Sequence, residues 1–575
     1  MNKVVVFGLD GATFALIRPA VEQGLLPTIA SLLERGAWGE LESTIPPITG
    51  AAWSTFQTGL NPGRHGVVDW LTREEGSYSL RPISSQMISQ PRLWDYIGTQ
   101  GGRVGIVGVP VTYPPRPVKG FLISGILTPQ GASYTYPEGL ARELEVHLGK
   151  FPFMPEHWRG CRRVREWLAG LKRGIARRKR FAQYLLRRYP WDFFMLHFME
   201  TDSVQHQMWH LRDGIRRLRY HPEVPGDPIL EIYREVDLAL GEILAELPPG
   251  TTIFIISDHG FGPLYWNVYL NLWLLEEGYL RLKRGVRPGL KRAALRLGLT
   301  QERLFPWAER LGLLEWGAQL RHGQIHDLLG RLFLSFKEID WRRTRAYSYG
   351  NIGQIYLNRR GREPEGIVKG EEAEGLLAEL IAGLEELRNP YNGEPVIDRI
   401  YRKEEIYQGE GLARAPEIIF LPRRGYMTLG TSDFPADRVV TPTFAGSGWH
   451  DLSGVLIASG EGIAQGRGLD EVRGARLVDM VPTLLYALGL RLPRGLDGRV
   501  IEELFTADYL RNHPPARLGP EPEEEAEAGP KAGVKVKVKV KVKAKVKETE
   551  TETEKGWAEE EEQEVRRRLK DLGYI

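Results

Sequence analysis

Short apolar runs alternate with longer stretches of helical periodicity along most of the chain. "KVVVFGLD" (3–10), "GRVGIVGVPVTY" (102–113), "WDFFMLHFME" (191–200), "TTIFIISD" (251–258) and "SGVLIASG" (453–460) are short and rich in β-branched and aromatic residues. Their apolar positions are continuous rather than alternating, which is the pattern of strands covered on both faces. Between them, "IRPAVEQGLLPTIASLLERG" (17–36) reads as a helix closing on Gly36. "RFAQYLLRRYP" (180–190), "EIYREVDLALGEILAEL" (231–247) and "LVDMVPTLLYALG" (477–489) also carry helical spacing. Strand–helix alternation of this kind predicts a mostly parallel sheet with helices on both faces, a three-layer α/β/α core.

The rhythm breaks after residue 263. Residues 264–340 read as mostly helical. Residues 343–435 read as mixed, with strand candidates "GQIYLN" and "PEIIFLP" and a helix near 371–387. We therefore expect a core of residues 1–263 and 441–512, with 264–440 inserted as a cap region. Residues 513–556, with "PEPEEEAEAGPKAG" and a Val/Lys repeat, read as a disordered low-complexity linker. The end, 557–575, has acids first and bases last, which suits a short helix that docks back or binds a partner.

Charge and composition narrow the picture only in places. A 26% charged content and a net charge of +3 exclude neither an enzyme nor a binding module. Local charge says more. Residues 157–189 hold twelve Arg/Lys and one Glu, and residues 281–296 hold seven and no acid. Such stretches are ordinary as solvated helix faces, and they also suit an anionic substrate, RNA or peripheral contact with an anionic surface. No nucleic-acid module is recognisable. The one cysteine, Cys161, allows no disulfide within the chain. No segment approaches the roughly 18 apolar residues of a membrane span, and the first residues show no signal-type apolar stretch, so a cytoplasmic protein is expected.

The chemistry gathers where strands end. Asp10 closes the first strand. Asp202 follows "FFMLHFME", with His206 four residues on. Asp258 and His259 close "TTIFIISD", and His450 precedes the last strand. The carboxyl ends of parallel strands share one sheet edge, where ligands bind. Three carboxylates and three imidazoles at one edge call for divalent cations, and the mixed N/O set suits Zn²⁺ or Mn²⁺. Thr49, in "PPITGAAW", is placed to begin a helix. A helix N-terminus favours an incoming phosphate, and metal coordination turns a threonine hydroxyl into a usable nucleophile.

The order Asp10, "PPITGAAW…TGLNPGRHG", "TDSVQH", "SDHG" and "GWHD" resembles the alkaline phosphatase superfamily. The resemblance is to its type I phosphodiesterase/nucleotide pyrophosphatase branch, and there to predicted phosphohydrolases or phosphomutases. It spans roughly residues 1–505. It implies that Asp202, His206 and His450 hold one metal, and that Asp10, Asp258 and His259 hold a second, with Thr49 as the metal-bound nucleophile. It further implies an anionic phosphate-ester substrate, probed first as a phosphodiester or nucleotide pyrophosphate, and a phospho-threonine intermediate. A cofactor-independent phosphomutase and a phospho-headgroup transferase are the alternatives. A non-catalytic scaffold would have no need of six ligands.

The sequence departs from that pattern in one place. Nucleotide pyrophosphatases carry an Asn three residues after the nucleophile, and here that position is Ala52. Phosphate oxygens must be held otherwise, with backbone N–H groups near Gly50 as candidates. Trp53, Thr112 and Tyr113 are further candidates for a substrate pocket. His65 and His197 read as structural. A sulfatase is excluded, because Cys161 lies in "RGCRRV" rather than a Cys-x-Pro-x-Arg setting.

Overall fold

Val4–Leu9 (β1) is buried at every position, so both of its faces must be covered. In the computed structural model it lies at the centre of a nine-stranded sheet. The structure describes all residues except 156–162, 213–223, 305–332, 431–433, 444–445, 470, 519–556, 558 and 572–575. The other strands of this sheet are Ala37–Glu42 (β2), Val104–Val109 (β3), Gly120–Ser124 (β4), Thr135–Tyr136 (β5), Phe193–Phe198 (β6), Thr252–Ile256 (β7), Ser453–Ser459 (β8) and Ala475–Arg476 (β9). Their order is β9-β2-β8-β7-β1-β6-β3-β4-β5. β7, β1, β6, β3 and β4 run parallel. β8 is antiparallel to both β7 and β2, and β5 is antiparallel to β4.

Alternation along β1 sends side chains into two separate cores. Val5, Phe7 and Leu9 join one apolar cluster, and Val4 and Val6 join the other. Phe14–Glu22 (α1), Pro27–Glu34 (α2), Val164–Arg188 (α4) and Pro228–Leu244 (α6) cover the first face; Thr49–Thr58 (α3) and Met480–Ala487 (α7) cover the second. The layers are those expected from the strand–helix rhythm. The single helix expected over 17–36 is two. Gly24 takes a left-handed φ of 69° and Pro27 opens α2, so the chain turns between them. With no side-chain cap of its own, α2 has its Thr28 and Ile29 N–H groups donating to the Asp237 carboxylate of α6.

Three bases of α4 pair with glutamates of α6 and of the turn that follows it. Lys172 pairs with Glu231, Lys179 with Glu242 and Arg187 with Glu246. Arg178 turns inward instead and forms a fully buried pair with Glu200 at 2.9 Å.

The boundary expected at 263/264 falls inside a strand. Gly260–Tyr269 runs straight on from the Asp-His pair, carried by aromatic and branched residues of strand type. It pairs with Gly425–Leu429, Val440–Pro442 and Gly448–Asp451. Beyond it, Ala346–Tyr347, Gln354–Leu357, Ile418–Pro422 and Ile397–Arg402 form a second four-stranded sheet, and Gly370–Glu385 supplies the expected helix. This region has an apolar core of its own. Residues 305–332, Cys161 and 519–556 of the expected linker lie outside the described residues. Residues 516–518 are held against Leu492 by backbone hydrogen bonds, so the ordered chain continues past 512.

Candidate active site

Register sets the site. Gly8 of β1 is level with His197 of β6 and Ile256 of β7. Asp10 and Asp258 each lie two residues beyond that line, at the same sheet edge. Asp202 follows β6 in the first turn of Glu200–Met208 (α5), and His206 sits one helical turn later on the same side. His450 comes from strand Gly448–Asp451, where it is level with Phe261. Thr49 is the first residue of α3. All seven side chains are buried.

They meet at hydrogen-bond distances. Thr49 Oγ1 is 3.2 Å from His259 Nε2. His259 Nε2 is 3.4 Å from both Asp10 Oδ1 and Asp258 Oδ2. Asp202 Oδ1 is 3.3 Å from His206 Nε2 and 3.4 Å from His450 Nε2, and those two nitrogens are 3.2 Å apart. Donor atoms of Asp10, Asp258 and His259 lie within 4.8 Å of one another, as do those of Asp202, His259 and His450. His259 therefore stands between the two groups, and its ring stacks on His450 at 3.7 Å.

The donor set fits divalent cations. Each of the three histidines places Nδ1 on a backbone carbonyl: His206 on Gly448, His259 on Gly260 and His450 on Pro47. A carbonyl only accepts, so Nδ1 carries the proton and Nε2 faces the carboxylates. Metal-binding imidazoles are held in this way, one ring N–H on a carbonyl and the other nitrogen left for the ion. Asp10 Oδ1 and Asp258 Oδ2 are buried with no hydrogen-bond partner. Gly11, at φ 64°, turns the chain so that its N–H donates to Asp258 Oδ1.

Electrostatics point the same way. Burial raises the Asp258 carboxyl well above its ordinary value, and the Asp10 charge adds to this. Burial also opposes ionisation of Asp202, but His206 and His450 outweigh it and hold Asp202 well below the usual range. Asp10 is likewise lowered against its burial, by the nearby His197 and His259. Burial disfavours charge on His259, yet Asp258 and Asp10 push it up to about 10. Burial and the His259 charge drive His450 down to about 4. The pocket demands positive charge, which divalent cations supply.

Two residues read as packing or pocket from the sequence support Asp10 instead. His197 Nε2 and Trp53 Nε1 donate to Asp10 Oδ2 at 2.9 and 3.0 Å, leaving Oδ1 bare toward His259. Trp53 is fully buried, with its indole N–H engaged on Asp10. Gly8 makes room for it, since a Cβ there would stand 2.6 Å from the Trp53 ring. The two indole and imidazole donors had no signal in periodicity. Only the level register of Gly8 and His197 reveals them.

The other candidates sit as follows. Gly50 lies in the first turn of α3, packed against Trp70 and Ile83. Ile48 gives that helix no side-chain cap, so its first N–H groups stay free of a capping oxygen. Thr112 is buried, donating to Val109 O and accepting from Gly125 N–H. Tyr113 stacks on Trp557 at 5.3 Å, and its hydroxyl reaches Glu561. Burial and Glu561 push that phenol up to about 12. Trp557 begins the returning tail. Its helix, Glu559–Asp571 (α8), buries Val565 and Leu569 in the apolar cluster that also holds Ile48 and Trp449, the neighbours of Thr49 and His450. His65 donates from Nε2 to Thr55 Oγ1 and accepts the Val67 N–H, a structural role at the end of the short helix Pro62–His65 behind α3.

A three-layer α/β/α core with a cluster of Asp, His and Thr at its sheet edge defines a hydrolase scaffold of the alkaline-phosphatase type. The chain belongs to the type I phosphodiesterase/nucleotide pyrophosphatase family, whose model matches residues 4–450, and it is a phosphoric ester hydrolase. Among solved structures, it is similar to phosphonoacetate hydrolase from Sinorhizobium meliloti 1021 in complex with phosphonoformate. That likeness has a TM-score of 0.51 at 16% identity, covering 85% of this chain and 95% of that one. It is also similar to an inactive form of murine ectonucleotide pyrophosphatase/phosphodiesterase 5 in complex with AMP, with a TM-score of 0.50 at 13% identity over 88% of this chain and 100% of that one. At such identities the likeness is one of fold. A search of curated proteins by sequence found no match. Among the described residues no helix is long and apolar enough to cross a membrane.

Proposed function

We propose that the protein hydrolyses a phosphodiester or nucleotide-type pyrophosphate, with Thr49 as nucleophile and two divalent cations as cofactors. The observation that carries this reading is the placement of Thr49 Oγ1, at a helix N-terminus and 3.2 Å from His259 Nε2 within three buried carboxylates. Asp202, His206 and His450 would hold one cation, and Asp10, Asp258 and His259 the other, beside Thr49. Zn²⁺ or Mn²⁺ bound there supplies Lewis-acid polarisation of phosphoryl oxygens and lowers the pKa of a neighbouring hydroxyl.

The chain's own groups then do the following. Thr49 Oγ1 gives up its proton to solvent and bonds to phosphorus as the bond to the leaving oxygen breaks, and that oxygen takes up a proton from water. Water afterwards attacks phosphorus and releases the Thr49 hydroxyl. The N–H groups opening α3, at Thr49, Gly50 and Ala51, receive the phosphoryl oxygens that an Asn holds in nucleotide pyrophosphatases, because Ala52 has no donor to offer. His197 and Trp53 keep Asp10 turned toward His259.

A screen of aryl phosphomonoesters, phosphodiesters and nucleotide pyrophosphates, each with Zn²⁺ and with Mn²⁺, tests the reading. Turnover is expected on diesters or pyrophosphates, with water as the acceptor. No turnover of any ester would overturn it. Phosphoryl transfer within the substrate, or to an added alcohol in preference to water, would reassign the site to a mutase or a transferase.

A further inference from the structure

The second basic stretch behaves unlike the first. On α4, Lys172 and Lys179 pair with glutamates of α6, and Arg187 pairs with Glu246 just beyond it. In helix Val286–Arg296, Lys291 is the one base with an ion pair among the described residues. Lys291 turns inward to Glu338 at 2.7 Å, and Leu295 is buried beside it, so these two anchor one face. Arg284, Arg287, Arg292 and Arg296 form no ion pair among the described residues.

The opposite face is apolar and exposed. Val286, Leu290 and Leu297 are 82%, 66% and 78% exposed. Spaced at i, i+4 and i+11, they fall on one stripe of a helix with 3.6 residues per turn, and exposed Ala293 lies on the same stripe. Arg287 flanks the stripe on one side, and Arg292 and Arg296 flank it on the other. Leu299 and Leu304, further along the chain, are also exposed, at 54% and 44%. Scattered exposed leucines are ordinary, but a stripe bordered by unpaired arginines is not.

We propose that this helix seats the protein on an anionic lipid surface. Its apolar stripe would enter the headgroup boundary while the flanking arginines snorkel to lipid phosphates. Charge complementarity selects this occupant: sixteen residues, 281–296, carry seven bases and no acid. RNA shares the charge but gains nothing from Val286, Leu290 and Leu297, which have no base-stacking ring. The attachment is peripheral and reversible, independent of the catalytic reading, and it brings the enzyme to a surface rich in phosphate esters.

Co-sedimentation of the full chain with phosphatidylglycerol/phosphatidylcholine vesicles, against phosphatidylcholine alone, tests the proposal. Binding is expected only to the anionic vesicles, weakening as salt is raised. Two variants separate the contributions. Leu290→Ser with Leu297→Ser removes the stripe, and Arg287→Gln with Arg292→Gln and Arg296→Gln removes the charge, at a loss on the order of fivefold in affinity per arginine. All five side chains are exposed, and circular dichroism of each variant checks that the fold is kept. No binding by the wild type would overturn the proposal, as would binding that neither variant weakens. Tighter binding to a single-stranded RNA homopolymer than to vesicles would overturn it in favour of RNA. A dimer abolished by Leu290→Ser with Leu297→Ser would assign the stripe to a second copy.

Discussion

Replacing His197 by Phe isolates the support of Asp10. The ring volume is roughly kept, while the N–H that reaches Asp10 Oδ2 at 2.9 Å is lost. The Trp53 indole still donates to the same oxygen at 3.0 Å, so the carboxylate is weakened in its hold rather than orphaned. A hydrogen bond to a charged acceptor contributes about 1.5–3 kcal/mol, and loss of an outer partner of a metal ligand typically costs about 10–100-fold in metal affinity. The expected outcome is therefore a ~30-fold weaker Zn²⁺ affinity of the site formed by Asp10, Asp258 and His259. Chelator-stripped protein, titrated with Zn²⁺ against a chromophoric competitor, reads this directly. Urea unfolding of the stripped forms measures the stability change separately. His197→Gln, which retains an N–H donor, should recover part of the affinity. If His197→Phe lowered only the stability and left Zn²⁺ affinity unchanged, the bond to Asp10 would be packing and the argument from the two donors would fail.

Other expectations rest on other contacts. Arg178→Met strands the fully buried Glu200 carboxylate and should cost about 3–5 kcal/mol in urea unfolding, with much of it recovered in the double variant with Glu200→Gln. Burial holds the His65 imidazole down at about 3, only partly opposed by Asp497. Its folded value is depressed, so its contribution is fully present above the unfolded value of about 6.5 and is lost as pH falls toward 3. Stability should decline by about 1.4 kcal/mol per pH unit through that window, and His65→Gln should flatten the slope. Deletion of residues 557–575 uncovers Tyr113 and removes Val565 and Leu569 from their cluster, each worth about 1.5–3 kcal/mol when fully buried. A lowered melting temperature is expected, and an unchanged one would show that the tail does not hold its place in solution.

The mostly parallel core and the gathering of Asp and His side chains at its edge were legible because parallel strands place their C-terminal residues together. Asp10, Asp258 and Asp202 needed only that rule. The role of His197 was not legible. It lies within a run that is buried throughout, and nothing in "FFMLHF" says that its ring meets the Asp10 carboxylate of the next strand. Trp53 was similarly ambiguous, since an indole packs and donates equally well. The split of 17–36 turns on a left-handed Gly24, and the strand 260–269 on pairing with segments 160–190 residues away, neither of which periodicity records. The tail's return depends on an apolar cluster assembled from six or more separate segments.

The central claim is that Thr49 attacks phosphorus at a two-cation site. It is tested most directly by kcat/KM of Thr49→Ala on the best ester from the screen, with metal content matched to wild type. A loss on the order of 10³-fold or more, with both cations retained, is expected. Undiminished turnover by Thr49→Ala under those conditions would contradict it.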